Sequence, residues 1–243
     1  MTTMIKKFAQ FTEELKKVEG TQKGSNDGGI HINTETGEKH YVKHYHNADQ
    51  AKTEALVGKI YHHMGIHTIH PQYIEHEGKP AISTKWNEHL KPMHKSEFDN
   101  LSHHQAHQVA RMKHAAVLTK NWDIVGLQHD NIMKDHKGNL TSIDHGGSMN
   151  FRAQGGHKDY GHDIGEHKSL IDNHEASGHV FKSTFKQHPD VERKGLDAVK
   201  NIDDTHIHHL FKHSGLSNWK ELHSSFVSRK KKLLDHYKES EEK

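Results

Sequence analysis

The 243 residues carry 34 Lys+Arg against 32 Asp+Glu, a formal charge of +2 with 30 histidines neutral, and only 31% are hydrophobic. So even a charge balance argues against a phosphate-backbone footprint, and no nucleic-acid partner is expected. The absence of cysteine excludes a disulfide scaffold, an iron–sulfur cluster, a thiolate zinc site and cysteine nucleophile chemistry, and it fits a reducing compartment. Low hydrophobicity with near-zero net charge and periodic apolar clusters predicts a modest folded core under a very polar surface.

In chain order, Ile5, Phe8, Phe11 and Leu15 recur at helical spacing and predict a short helix over 4–18. No apolar run approaches the roughly 20 residues that span a bilayer, and the N-terminal segment lacks a signal-peptide apolar stretch, so a soluble, cytoplasmic protein is expected. A glycine-rich turn over 24–29 leads into Ile30–Ile32, a turn at Glu35-Thr36-Gly37 and an extended run over Lys39–Tyr45, a strand–turn–strand pattern. The period then changes. Ala51, Leu56, Ile60, Tyr61 and Met64 mark an amphipathic helix over 48–64 that stops at Gly65, followed by strands near 71–75 and 81–84.

Residues 95–119 fit one kinked helix or two short ones. A loop over 121–131, a small hairpin turning at Lys137-Gly138-Asn139, and a glycine-rich stretch from Gly146 to Gly165 come next. Leu216, Trp219, Leu222, Phe226, Leu233 and Tyr237 form the stripe of a C-terminal helix, and the tail from Lys238 to Lys243 is expected to fray. Arg229-Lys230-Lys231-Lys232 on that helix reads as a solvated basic face.

Four features occur in a telling order: glycines at 24, 28 and 29 with Ser25, a strand lysine Lys43, a helix glutamate Glu54 eleven residues on, and a segment holding Asp123, Asp130, Asn131 and then Asp144. A glycine-rich hairpin lets backbone N–H groups approach phosphates, a lysine gives them a point charge, and a glutamate holds that lysine extended. An Asn and an Asp on two arms of a hairpin can converge on Mg²⁺, a hard ion that prefers oxygen.

The runs His129-Asp130-Asn131-Ile132-Met133 and Ile143-Asp144-His145-Gly146 resemble the catalytic and metal-binding loops of the protein-kinase-like superfamily, in particular its phosphatidylinositol-kinase and HipA-like branches. The segment from Gly24 to Gly147 is also similar to compact kinase-like proteins of phages and bacterial effectors, which would place the chain in a host cytoplasm. The resemblance implies an α+β, bilobal kinase-like fold with a small β-rich N-lobe and a helical C-lobe. The corresponding segments are an N-terminal helix within 1–19, an N-lobe over 20–92 and a C-lobe over 93–243. It implies ATP and Mg²⁺ as cofactors, with Lys43 anchoring phosphates together with Gly24, Ser25, Gly28 and Gly29. Glu54 would partner Lys43, Asn131 and Asp144 would bind the metal, and the 83–92 hinge, with Ser83 and Lys85, would touch the adenine.

The pattern departs from the family at one point. The catalytic aspartate of familiar kinases precedes the metal-binding asparagine by five positions, but that position here is Gly126. The acid available is Asp123, eight before Asn131, with Asp130 as the alternative. Gly146-Gly147 also replaces the usual Phe-Gly. The implied activity is transfer of the γ-phosphoryl of ATP to a hydroxyl, with a protein Ser/Thr acceptor first and a lipid second; a pseudokinase that senses nucleotide or grips a partner is the rival. Arg152 is placed to meet a phosphate or to be a plain exposed arginine. Groups such as His44/His46, His62/His63 and His206/His208/His209 would permit adventitious zinc or nickel binding; a compositional bias of the surface accounts for their density, and a histidine-rich metal-binding protein is the third reading.

Overall fold

A computed structural model describes residues 15–22 and 27–239. Most of the helix expected over 4–18 lies outside the described residues, as do Gly24, Ser25 and the end of the C-terminal tail. Where that first segment is described it is a strand: β1 (Leu15–Lys17) pairs antiparallel with β2 (Gly28–Asn33), Leu15 opposite Asn33. The ladder and the burial of Leu15 outweigh the weak helical periodicity of a polar segment.

β3 (Lys39–His44), helix α1 (Ala48–His63), β4 (Gln72–His76) and β5 (Lys79–Lys85) follow, and the five strands form one antiparallel sheet in the order β1-β2-β3-β5-β4. The register sorts side chains by face. Lys43 lies opposite Ile82, which lies opposite Tyr73, on the face that α1 covers; Val42 and His44 share the other face with Ala81 and Ile74. Asn47 caps α1 by accepting from the Asp49 amide, and Gly65 at φ 69° ends the turn after it.

β6 (Lys91–Pro92) pairs with β7 (Ile132–Lys134), which pairs with β8 (Leu140–Ser142), so residues 91–92 join the sheet of the second lobe instead of the N-lobe. Between them a 3₁₀ turn over Lys95–Asn100 leads into α2 (His103–Thr119), the two-helix version of the 95–119 expectation. Ser102 supplies the break: it caps α2 reciprocally with Gln105. The rest is helical: α3 (Glu166–Asp172), α4 (Ala176–Gln187), α5 (Val191–Lys194), α6 (Asp197–Lys200), α7 (Asp204–Lys212) and α8 (Trp219–Glu239).

The main core is centred on α2, whose Val109, Met112 and Val117 are fully buried with Ile60 and Tyr61 of α1, Phe181, Phe211 and Phe226. One residue of the expected solvated face is part of this interior. Arg229 is 0% exposed, donates to the Val117 and Tyr160 carbonyls at 2.7 and 3.1 Å, and pairs with Glu166. A planar, permanently charged group with five donors can satisfy several buried carbonyls at once, which the sequence run of basic residues does not advertise. Lys230, Lys231 and Lys232 each pair with a carboxylate nearer the surface. Among the described residues no helix is long and apolar enough to cross a membrane.

Candidate active site

The site is assembled from three places in the chain: β3 and α1 of the N-lobe, the 121–131 loop, and the segment after β8. Lys43 Nζ stands 2.8 Å from Asp144 Oδ1 and 3.4 Å from Glu54 Oε2. Glu54 is 1% and the Lys43 side chain 10% exposed, while the Asp144 side chain is 41% exposed. Burial alone would push the Lys43 ammonium down, but Glu54 and Asp144 outweigh it and hold Lys43 above the ordinary lysine value. Burial raises the Glu54 carboxyl well above the usual carboxylate range in spite of Lys43, and Tyr45 Oη donates to it. Burial would also raise Asp144, but Lys43 and the Gly146 amide reverse this and keep Asp144 low.

The glycines have separate local reasons. Gly28 and Gly29 belong to β2 and not to the turn before it. A Cβ on Gly28 would lie 2.4 Å from the Val42 carbonyl oxygen, so the close approach of β2 to β3 beside Lys43 requires its absence. After Asp144, itself left-handed at φ 54°, Gly146 passes directly beneath the charge cluster: a Cβ there would meet Tyr45 Oη at 2.6 Å and Glu54 Oε2 at 2.9 Å.

The long 121–131 loop closes by doubling back. Gly126 at φ 76° and His129 at φ 64° reverse the chain, and the Asn131 amide donates to the Val125 carbonyl at 3.1 Å. As a result Asn131 Nδ2 reaches the Asp123 carbonyl at 2.7 Å and its carboxylate at 3.4 Å, so the eight-residue spacing still brings acid and amide together. The Asp130 carboxylate packs against Gly126, where a Cβ would come within 2.2 Å of Asp130 Oδ1 and 3.0 Å of Asn131 Cγ. Burial, then the charges of Asp144 and Asp130, push the Asp123 carboxyl up to about 6, near the range of a usable general base.

Asp123, Asn131 and Asp144 therefore present oxygen to one region in which Lys43 is the near cation. The Asn131 amide nitrogen is spent on Asp123, which leaves Oδ1 as its open donor atom. Hard oxygen donors with excess negative charge fit a divalent cation of the Mg²⁺ type.

Two expected contacts are not in this cluster. Ser83 sits on the sheet face opposite Lys43 and meets His40 Nδ1 at 3.2 Å, and Lys85 is exposed. Residues 83–90 instead wall a groove of about 990 Å³ shared with His62, Thr68 and Thr141, which does not include Lys43, Glu54 or Asp144. Arg152 is exposed over the Trp122 ring, 5.6 Å from its centroid, with Lys158 at 5.2 Å and Lys120 at 5.7 Å on the same ring.

Sequence reasoning missed Tyr45 and Gln50. Gln50 lies one turn before Glu54, and its Nε2 donates to the Gly146 carbonyl at 3.1 Å and the Arg152 carbonyl at 3.4 Å. The i, i+4 spacing to Glu54 was the available signal, since both must then face the same way. It also missed Lys158, whose ammonium is fixed by the Lys120 and Gly147 carbonyls at 2.6 and 2.7 Å and is pushed down to about 7 by burial and by Lys120.

A small antiparallel lobe, a helical lobe and this cluster between them define a bilobal, kinase-like fold. No family model matches the chain, and no curated protein sequence matches it. Among solved structures the fold matches a Helicobacter pylori protein described as the proinflammatory kinase CtkA, with a TM-score of 0.57 at 13% identity, over 89% of this chain and 91% of that one. What the two share at this identity is the fold.

Proposed function

We propose that the chain is an atypical kinase, an ATP- and Mg²⁺-dependent phosphotransferase that acts on a hydroxyl, with a protein Ser/Thr side chain as first-choice acceptor. The observation that carries this reading is Lys43 held between Glu54 and Asp144, because an ammonium fixed beside an exposed carboxylate is what nucleotide phosphates and their metal require. Glu54 and Tyr45 hold the lysine extended, and Lys43 orients and neutralises phosphate oxygens. Asn131 Oδ1 and the Asp144 carboxylate would hold Mg²⁺, which when bound neutralises charge that develops on the phosphates. Asp123 takes the proton of the acceptor hydroxyl on its carboxylate. Positioning and charge neutralisation supply most of the rate.

The test is transfer of label from γ-labelled ATP with Mg²⁺, after stray metals are chelated, on the chain itself and on a mixed lysate. Loss of label in Lys43→Ala, Asp123→Ala and Asp144→Ala supports the kinase with Asp123 as its base. Label that survives Asp123→Ala but not Asp130→Ala moves that role to Asp130.

The second reading, a pseudokinase, is favoured by the Asp123 carboxylate being shared with Asn131 Nδ2. It predicts nucleotide-dependent thermal stabilisation and no labelled product.

A further inference from the structure

On the sheet face opposite Lys43, buried histidines meet. His44 is 7%, His76 3% and His31 1% exposed. His44 and His76, 32 residues apart, meet across β5 on the face they share with Ala81: His44 Nε2 and His76 Nδ1 are 3.0 Å apart. Glu77 follows His76 in a left-handed turn residue at φ 52°. One nitrogen of each ring and a carboxylate oxygen of Glu77 all lie within 4.8 Å of one another.

The far side of each ring offers a place for its proton. His44 Nδ1 is buried, makes no hydrogen bond and points toward the Asp27 carboxylate at 3.6 Å. The His76 ring bonds the Leu15 carbonyl. In the metal-free chain the two facing nitrogens, 3.0 Å apart, share one N–H···N hydrogen bond; moving that proton to His44 Nδ1, toward Asp27, turns both lone pairs to a cation that lies between them. Burial favours the neutral rings that ligate. A carboxylate behind a ligating imidazole also sets its tautomer and raises its basicity. Lys17 and Lys79 approach Asp27 at 3.5 and 3.7 Å and hold that carboxylate ionised.

We propose that His44, His76 and Glu77 form a metal site for one divalent ion of the Zn²⁺ class, with Asp27 holding the outer nitrogen of His44. Two imidazoles and a carboxylate suit zinc and its borderline neighbours, and leave a fourth position for water; Mg²⁺ prefers an all-oxygen shell. The ion would fasten the β4–β5 turn to the end of β3. The His44 amide already bonds the Asp27 carbonyl at 2.8 Å, so the start of β2 is tied in as well. This site is independent of the phosphotransfer reading.

The test is Zn²⁺ titration of the full, untagged, metal-stripped chain against a chromophoric chelator. One equivalent is expected to bind well ahead of the weaker surface histidines. Glu77→Gln should weaken it at least about 10-fold and His76→Gln at least about 100-fold, since even loss of a group that only supports a ligand costs roughly 10- to 100-fold in metal affinity. Glu77 is exposed, so that variant keeps the fold, and its metal-free melting temperature should equal that of the unaltered chain. A control, His209→Gln/His213→Gln, removes an exposed pair with ring centroids 4.0 Å apart and should leave the tight equivalent in place. Absence of a tight equivalent, or equal loss in the control, overturns the proposal and leaves an adventitious ion only.

Discussion

Lys43 and Asp144 stand 101 residues apart in the chain, yet Lys43 Nζ lies 2.8 Å from Asp144 Oδ1, joining β3 of one lobe to the segment after β8 of the other. The same ammonium is the partner of Glu54, a carboxylate buried at 1% exposure. Lys43→Ala therefore leaves a buried charge that must either stay unpaired or take up a proton.

The expected cost of Lys43→Ala is about 3 kcal/mol at pH 8, the low end for breaking a buried pair. It should shrink toward pH 6, because burial already favours the protonated Glu54. Adding Glu54→Gln should recover part of the loss. Urea unfolding of the two singles and the double variant measures this, and equal costs at both pH values would contradict the buried-charge account.

Gly126→Ala should destabilise the chain and disable the loop. The residue sits at φ 76°, and its Cβ would come within 2.2 Å of Asp130 Oδ1 and 3.0 Å of the Asn131 amide nitrogen. Gly37→Ala is the control, since Gly37 at φ 72° has nothing within 4 Å of its Cβ position. Gly37→Ala should cost about 1 kcal/mol for the left-handed backbone alone, and Gly126→Ala about 2 kcal/mol more for the crowding. Urea midpoints of the two variants give the difference.

If Asp123 is the base, phosphotransfer should rise with pH through about 6, where its carboxyl loses the proton. Asp123→Asn should lower the rate at pH 7.5 by about 100-fold or more and abolish that limb, in the range usual for general-base loss. A pH–rate profile that keeps the limb in Asp123→Asn would assign it to another group.

The chain should lose stability in mild acid. His114 and His145 are fully buried and pushed down to about 4 by burial, whereas an unfolded histidine titrates near 6.5. Between those values the unfolded state binds more protons, so stability is full above about pH 6.5 and falls as pH drops toward 4. Each such histidine accounts for roughly 3 kcal/mol at pH 4. Urea midpoints measured from pH 7.5 to 4.5 should fall steadily, and less so in His145→Gln.

Local chemistry written in consecutive residues was legible in the sequence. The 48–64 periodicity that stops at Gly65 corresponds to α1, and the hairpin around Gly138 and strands β2 to β5 of the first sheet follow from alternation and turn residues. The order of Lys43, Glu54, Asn131 and Asp144 pointed to one site because each residue type has a distinct role toward phosphate or metal. Tertiary structure decided whatever depends on register and on chain reversal. The sheet turned Ser83 away from Lys43 and set His44 against His76, since alternate residues of a strand face opposite ways and only the partner strand says which residues meet. It drew Arg229 inward to carbonyls from α2 and the 160–163 segment, made a strand of Leu15–Lys17, and folded the loop at Gly126 so that Asp123 reaches Asn131. Those contacts join segments that lie far apart in the chain or depend on a backbone reversal, and residue spacing carries no record of either.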